Sequence, residues 1–298
     1  MKSNTCLLHK ETSAMSRFCN RYIGIDFSGS QAQWQPNAQS SNVWIALMEE
    51  QNTVNNLIGL QRVQQLPGEG RPFYRLSQLL GNGEYGAAAI DAPFSVPWWF
   101  FGANFVDHNG LLAAVNDLPI NHGADFPTGA AFVECVAAGI QFPFSKPLRT
   151  TESYWRGRSV NIRSTVWNGV RPGAPFASSS IKLLAEAARP LWPWSGAEDT
   201  PILAESFPAA QLRAWNLPFD GYNGDDGQAN RAVIVEDLVA NRGLQITNDF
   251  EMTILGDADA LDAVLSCYAA RAVKRNQLGA PLPPVDSWRL EGWIAVHN

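Results

Sequence analysis

The chain is poor in cysteine, histidine and long apolar runs, and each shortage excludes a class of protein or site. It has 298 residues but only four cysteines, and no two of them form a Cys-x-x-Cys pair. Neither a zinc knuckle nor a disulfide framework is therefore expected, which favours a reducing, cytoplasmic location. Four histidines offer few imidazole ligands, so zinc is the less favoured metal. No apolar run could cross a bilayer, and no membrane partner is expected.

The composition is that of a well-buried globular protein. Hydrophobic residues make up 46% of the chain and charged residues 17%. A net charge of -6 argues against a surface coated with nucleic acid, although it permits a local basic patch. We expect a poorly ordered leader over residues 1–20. Residues 21–298 should form a single domain, with a large irregular insertion at about 94–200 that is rich in Pro, Gly and Trp.

Hydrophobic periodicity and turn residues predict alternating strands and helices, which places the chain in the α/β class. The predicted strands cover residues 21–27, 42–49, 54–64, 87–91, 201–206 and 291–296. The predicted helices cover residues 72–80, 179–188, 208–215, 229–242 and 257–274, with weaker helices near 104–116 and 130–138.

Five acidic residues are the candidate catalytic groups. Asp26, Asp91 and Glu205 each stand at the end of an apolar strand, whereas Asp259 and Asp262 share one face of the helix over 257–274. Strand ends gathered at one sheet edge would bring these carboxylates together. Two such charges about 4 Å apart repel by roughly 4 kcal/mol at an effective dielectric of 20, so a cation should hold them.

Most of these acids could instead have an ordinary structural role. Asp26 could be a turn residue after a strand. Glu205 could cap the next helix, and Asp259 or Asp262 could be a solvated acid in a first helical turn. Asp257 suits an N-cap. The joint pattern favours Mg²⁺ or Mn²⁺, because hard cations prefer oxygen ligands, and two such ions could activate a water for phosphodiester hydrolysis.

The insertion carries a basic and aromatic segment that could bind nucleic acid or a nucleotide. Residues 140–181 contain six basic residues against one acid, Glu152. Arginine forks bind phosphates and aromatic rings stack on bases. An arginine-rich loop paired with the acidic body is the competing interpretation, and capping is the default role for the serines at 178–180. The predicted substrate-binding residues are Arg149, Arg156, Arg158, Arg163 and Lys182.

Several short segments together resemble a family of predicted nucleases catalogued as domain of unknown function 429. The segments, in order, are Gly24-Ile-Asp-Phe-Ser28, Ile90-Asp-Ala-Pro93, Glu205-Ser-Phe-Pro-Ala-Ala210, Asp259-Ala-Leu-Asp-Ala263 and Glu291-Gly-Trp-Ile294. The resemblance implies an RNase H-like, five-stranded mixed sheet flanked by helices. In such a sheet the first three strands are antiparallel, and the strands at 87 and 201 run parallel to the first.

The resemblance also implies roles for the acids. The metal ligands would be Asp26, Asp91 and either Asp262 or Asp259. Glu205 would be an auxiliary ligand or a substrate contact. The segment from Asp259 to Asp262 is also similar to the acidic helix of bacterial Holliday-junction resolvases, which share this fold.

Three functions remain open at this point. The first is a metal-dependent nuclease acting on DNA or RNA. The second is a nucleotide-binding protein of the actin and sugar-kinase type, since Ile25-Asp-Phe-Ser-Gly29 is similar to a phosphate loop. The third is a non-catalytic interaction module that keeps the fold.

Overall fold

A mixed sheet of seven strands, ordered β6-β3-β2-β1-β4-β5-β7, runs through the molecule. The structure is a computed structural model that describes residues 18–39, 41–102, 105–140, 147–166, 174–196, 198, 201–284 and 286–298. Most of the predicted leader therefore lies outside the described residues. The strands are β1 Arg21–Asp26, β2 Trp44–Gln51, β3 Val54–Arg62, β4 Ala87–Asp91, β5 Ile202–Ser206, β6 Leu244–Gln245 and β7 Ile294–Ala295.

The α/β class is confirmed, but the expected count of five strands is wrong. β1, β2 and β3 are antiparallel neighbours, while β4 pairs parallel to β1 and β5 parallel to β4. The two further strands, β6 and β7, extend the sheet at its edges. β7 lies within the strand predicted over residues 291–296, whereas β6 is only two residues long and too short for a period-two pattern to predict it.

Ten α-helices cover the described part of the chain, and none of them is long and apolar enough to span a bilayer. They are α1 Pro72–Asn82, α2 His108–Asn116, α3 Gly129–Ala137, α4 Thr150–Arg156, α5 Ala174–Ala187, α6 Pro208–Ala214, α7 Gln228–Asn241, α8 Asn248–Gly256, α9 Ala258–Arg275 and α10 Trp288–Glu291. The predicted helices over 72–80, 208–215, 229–242 and 257–274 match α1, α6, α7 and α9.

Helix α9 packs against one face of the sheet at unusually short range. Gly24 in β1 lies beneath it, and a Cβ atom there would overlap the Ala263 carbonyl oxygen and lie 2.5 Å from the Cys267 backbone nitrogen. Ala89 of β4 and Ala204 of β5, also small, belong to the same buried cluster. Small side chains on the sheet let the helix backbone approach the strands directly.

The other face of the sheet packs against α1 and α5. Ile23 and Ile25 of β1 belong to this second core, together with Leu76 of α1 and Leu183 of α5. Successive strand residues alternate between the two faces. Asp26 therefore lies on the α9 side with Gly24, opposite Ile25.

The chain between β4 and β5 contains the helices α2 to α5. The weak helices expected near 104–116 and 130–138 match α2 and α3, whereas α4 was not predicted. The expectation that the serines at 178–180 cap a helix is wrong, because α5 already begins at Ala174. Ser180 instead lies inside α5 and donates its hydroxyl to the Pro93 carbonyl at 2.6 Å, which ties the insertion to the end of β4.

We expect Gly24→Ala to destabilise the protein by about 3 kcal/mol or more, because the added methyl group would push α9 off β1. Gly59→Ala in β3 is the matched control, since its Cβ would meet only the Leu47 Cβ at 3.4 Å. Urea denaturation of both variants measures the difference. Equal stabilities for the two variants would contradict the close packing of α9.

Candidate metal centre

Two aspartates stand side by side at the ends of neighbouring parallel strands. Asp26 is the last residue of β1 and Asp91 the last residue of β4, and the strand register pairs them directly. Parallel strands end at the same sheet edge, so the pairing places both carboxylates at one edge and on one face. Asp26 is 7% exposed. The interpretation of Asp26 as an ordinary turn residue does not account for this burial.

Helix α9 brings a third carboxylate to the same place. Asp262 lies in its second turn and is 8% exposed. One carboxylate oxygen from each of Asp26, Asp91 and Asp262 lies within 4.8 Å of the others. We call these three residues the carboxylate centre. A divalent cation with ligand bonds of about 2.0–2.6 Å could touch all three.

The carboxylate centre is electrostatically strained. Burial raises the pKa of Asp26 well above its ordinary value, and the charges of Asp262 and Asp91 raise it further. Burial and the charge of Asp262 likewise raise the pKa of Asp91. Burial raises the pKa of Asp262 to about 8. Without a cation, the site therefore favours protonated carboxyl groups at neutral pH.

Tyr222 orients the third carboxylate. Its hydroxyl donates to Asp262 Oδ1 at 2.9 Å, and this hydrogen bond partly lowers the pKa of Asp262 against the effect of burial. The tyrosine itself is buried, and burial raises its pKa well above the ordinary value. It therefore stays a neutral donor, which favours the ionised form of Asp262 and holds one of its oxygens in place.

The carboxylate centre fits a hard divalent cation. No arginine or lysine in the described part of the chain forms an ion pair with Asp26, Asp91 or Asp262. Three carboxylates, two of them on buried residues and the third on the half-buried Asp91, offer only oxygen ligands, which Mg²⁺ and Mn²⁺ prefer. Within the described ranges, no side chain supplies the positive charge that would offset their repulsion, and a bound cation could do so.

Asp259 lies one turn closer to the start of α9 and is not part of the carboxylate centre. Asp257 is the N-cap of this helix, as expected, with its side chain accepting from the backbone nitrogens of Asp259 and Ala260. Arg62 pairs with Asp257 at 3.1 Å. Burial and the charge of Asp257 together raise the pKa of Asp259 to about 6, against a lowering effect of Arg62. Of the two acids that the sequence left open, the structure brings Asp262 to the strand ends.

Glu205 belongs to a separate, buried ion pair. The strand register pairs Glu205 with Ile90, the residue before Asp91. Because successive strand residues alternate between faces, Glu205 points to the opposite face of the sheet from Asp91. Arg149 holds both of its oxygens, with Nη1 at 2.7 Å from Oε2 and Nη2 at 2.5 Å from Oε1. The Phe94 backbone nitrogen donates to the same carboxylate at 3.0 Å. Glu205 thus neither caps a helix nor joins the carboxylate centre, although its charge raises the pKa of Asp91.

Arg149 is not placed to meet a substrate phosphate. Its side chain is 2% exposed, and Glu152 and Glu205 both pair with it. The backbone carbonyl of Glu291 also accepts from it at 3.1 Å. Its position corrects the expectation of a substrate-binding role, because a guanidinium saturated by two carboxylates has little capacity for a further anion.

The other predicted substrate-binding residues have different surroundings. Lys182 is buried inside α5 and donates to Asn116 Oδ1 at 2.8 Å, so it joins α5 to the end of α2 rather than facing solvent. Arg156, Arg158 and Arg163 are exposed. The loop after α4 thus supplies the accessible positive charge.

A cavity of about 620 Å³ opens beside the carboxylate centre. Asp91 and Asp262 line its floor, while Asn161 and Arg163 from the loop after α4 line its wall. Phe176, 40% exposed, adds an aromatic ring. The volume is within the usual range for small-ligand sites of about 300–1,000 Å³. The cavity therefore gives a phosphate-bearing group access to two of the three carboxylates.

Sequence reasoning missed Tyr222. It lies in the loop between α6 and α7, forty residues before Asp262, and no local pattern connects the two. Only the folded contact identifies it as the hydrogen-bond partner of a carboxylate in the centre.

The fold and the site define a mixed α/β protein with a buried carboxylate centre at the edge of its parallel strands. A family model described as Protein of unknown function (DUF429) matches residues 24–286. The match covers most of the chain, so the chain belongs to this family. No curated protein and no solved structure matches the chain.

The stability of the metal-free protein should fall as pH rises from about 4 to about 8. The pKa of Asp262 is raised to about 8, so the folded state binds more protons in this window than the unfolded chain. Stability then decreases with increasing pH. Mn²⁺ at a hundred times its dissociation constant should add about 2.7 kcal/mol. Thermal melting in chelator and in Mn²⁺ at the two ends of the window measures both effects.

Because protons compete with the metal, the stabilisation by a fixed Mn²⁺ concentration should be larger at the alkaline end. Asp91→Asn should weaken both the pH dependence and the response to Mn²⁺. An equal Mn²⁺ effect at both pH values would contradict a site made of these carboxyl groups.

We expect Tyr222→Phe to reduce Mn²⁺ affinity about tenfold at neutral pH, because loss of the hydroxyl donor raises the pKa of Asp262 and frees its orientation. Titration calorimetry measures the affinity. Tyr74→Phe is the control, since Tyr74 is exposed on α1. The same affinity in both variants would show that Tyr222 does not act on the centre.

Proposed function

We propose that this protein is a metal-dependent nuclease of RNase H-like fold, which hydrolyses phosphodiester bonds with Mg²⁺ or Mn²⁺ held by Asp26, Asp91 and Asp262. The observation that carries the proposal is the meeting of these three largely buried carboxylates within 4.8 Å, with no cationic side chain paired to them among the described residues. Such an arrangement is costly to a folded protein unless a cation uses it.

The strand order supports the fold assignment. The five longer strands of the sheet are ordered β3-β2-β1-β4-β5. Neighbouring strands among β1, β2 and β3 are antiparallel, whereas β4 and β5 run parallel to β1. These are the directions that the resemblance implies for an RNase H-like sheet. Asp26 and Asp91 stand where that resemblance places the first two ligands, on the central strand and its neighbour.

Each residue of the centre has a distinct part in the proposed reaction. Asp26 and Asp91, fixed at strand ends, set the position of the cation, and Asp262 completes its ligands from α9. Tyr222 orients Asp262 and favours its ionised form against the effect of burial. Bound divalent cations supply activation of a water and stabilisation of the leaving oxygen. Rigid elements carry all three carboxylates, which suits a site that must keep its geometry.

The cavity supports a phosphodiester as substrate. Arg163 and Asn161 on its wall could contact phosphate oxygens, and Phe176 could stack on a base. A scissile phosphate that enters the cavity would reach Asp91 and Asp262 on its floor. The positive charge of the loop after α4 would draw a polyanion toward a chain that is acidic as a whole.

We expect Asp91→Asn to lower cleavage of DNA or RNA by at least about a hundredfold, while raising the melting temperature of the metal-free protein. The rise follows because the substitution removes one of three mutually repelling charges. Incubation of labelled single- and double-stranded substrates with Mg²⁺ or Mn²⁺ measures the activity.

Asp286→Asn is the matched control, because the Asp286 side chain is 79% exposed and its partner among the described residues is the exposed Arg289. It should keep full activity. A wild-type protein that cleaves no nucleic acid, yet gains thermal stability from ATP, would support the nucleotide-binding alternative instead. A protein that binds neither divalent cation nor ATP would support the non-catalytic module.

A further inference from the structure

A second groove, about 380 Å³ in volume, lies outside the carboxylate centre. Two arginines from separate parts of the chain line it. Arg158 follows the end of α4, and Arg213 lies in the last turn of α6. Tyr154, Trp155, Ala214, Asn216 and Gly279 complete the lining. We call this the arginine groove.

Both guanidinium groups are held in place by uncharged contacts. Arg158 stacks on the Tyr154 ring, with its guanidinium carbon 3.6 Å from the ring centroid, and donates to the Tyr154 carbonyl at 3.1 Å. Arg213 donates through Nε to the Arg158 carbonyl at 2.9 Å. Its guanidinium lies 5.1 Å from the centroid of the Phe219 ring. These contacts orient the two side chains but leave their charges unneutralised.

Neither arginine forms an ion pair with a carboxylate among the residues that the structure describes. Elsewhere the chain pairs its arginines readily, as Arg271 and Arg275 do with Glu50. Two adjacent, oriented and uncompensated guanidiniums in a chain of net charge -6 are a suitable receptor for an external anion.

A buried donor at the same groove also lacks an acceptor. Trp155 is 2% exposed, and its indole nitrogen has no hydrogen-bond partner within the described part of the chain. Burying such a donor without an acceptor is unfavourable. Because this nitrogen is closed to solvent, the two arginines are the charged groups that an anion in the groove would meet.

Neighbouring residues line the arginine groove and the cavity beside the carboxylate centre. Ser159, the residue after Arg158, lines the cavity wall, and so does Phe219, which lies against Arg213. A single turn of chain thus separates the two recesses. An extended ligand that leaves the cavity over this turn would meet the two arginines next.

The depth of the carboxylate centre favours a single strand over a duplex. Asp26 and Asp262 are almost fully buried, and the approach to Asp262 runs through a cavity of about 620 Å³. A stacked duplex presents its phosphates on a wide cylinder, whereas one strand can enter such a recess and stack a base on Phe176.

We infer that the arginine groove binds the backbone phosphates of a single-stranded nucleic acid whose scissile phosphate occupies the cavity, with Arg158 and Arg213 as the phosphate contacts. This inference rests on the proposed nuclease function and deepens it by naming the form of the substrate. The two arginines bind and position the strand, and they take no part in the chemical step.

The test measures binding separately from cleavage. In an Asp91→Asn background, fluorescence anisotropy follows labelled oligothymidylates of about 2 to about 12 nucleotides, and a duplex of equal length, across a range of salt concentrations. Adding Arg158→Gln and Arg213→Gln should weaken binding of the longer strands about tenfold. It should also reduce the magnitude of the salt slope by about 1.4, since each single-strand phosphate contact contributes about 0.7.

Arg289→Gln is the matched control, because it removes one charge from an arginine that is 63% exposed and lies outside both recesses. It should leave the salt slope unchanged. Arg213→Lys should restore most of the slope lost in Arg213→Gln, and thermal melting confirms that the variants fold. Binding of the shortest oligonucleotides, which fill only the cavity, should not respond to the groove variants.

An unchanged salt slope in the double glutamine variant would overturn the inference while leaving the nuclease proposal intact. Tighter binding of the duplex than of the single strand would also overturn it. Failure of the otherwise wild-type protein to cleave any nucleic acid with Mg²⁺ or Mn²⁺ counts against the nuclease function itself, and is read in a separate assay.

Discussion

The close contact between α9 and β1 is the constraint on which the site depends. Gly24 lets the helix backbone rest directly on the strand, at the level of Ala263 and Cys267. One residue before Ala263, Asp262 is thereby brought down to the ends of β1 and β4, where Asp26 and Asp91 stand. A side chain at position 24 would lift the helix and separate the third carboxylate from the other two. A packing requirement in the core therefore sets the geometry of a polar site.

The carboxylate centre is a local source of instability that the rest of the fold offsets. Each repelling pair at about 4 Å costs roughly 4 kcal/mol at an effective dielectric of 20. The cost is borne by rigid surroundings, since α9 is buried along most of its length between the sheet and neighbouring helices. Natural sites often trade stability for function in this way. The attraction of each carboxylate to a bound cation would outweigh the repulsion between the carboxylates.

Side chains along a strand alternate between the two faces of the sheet, and this separates the Glu205–Arg149 ion pair from the carboxylate centre. Glu205 points to the opposite face from Asp91, so it is free to pair with Arg149. That pair, together with Glu291, which accepts from the backbone nitrogens of Trp98 and Thr150, ties the insertion to the sheet. The insertion consequently has both anchored and exposed arginines. The anchored Arg149 and the exposed Arg163 both line the cavity, and Arg163 gives it accessible positive charge.

Local patterns in the sequence were sufficient to identify the five longer strands, most of the helices, the N-cap Asp257 and the acids at the ends of β1 and β4. These features depend on neighbouring residues, which periodicity and capping rules describe well. Tertiary structure alone decided that Asp262 rather than Asp259 joins the centre, that Glu205 binds Arg149, and that Tyr222 orients Asp262. The first outcome depends on the rotation of α9 about its axis, and the second on the sheet face that Glu205 occupies. The third depends on the path of the loop between α6 and α7. Contacts between residues far apart in the chain determine all three, and no short stretch of sequence encodes them.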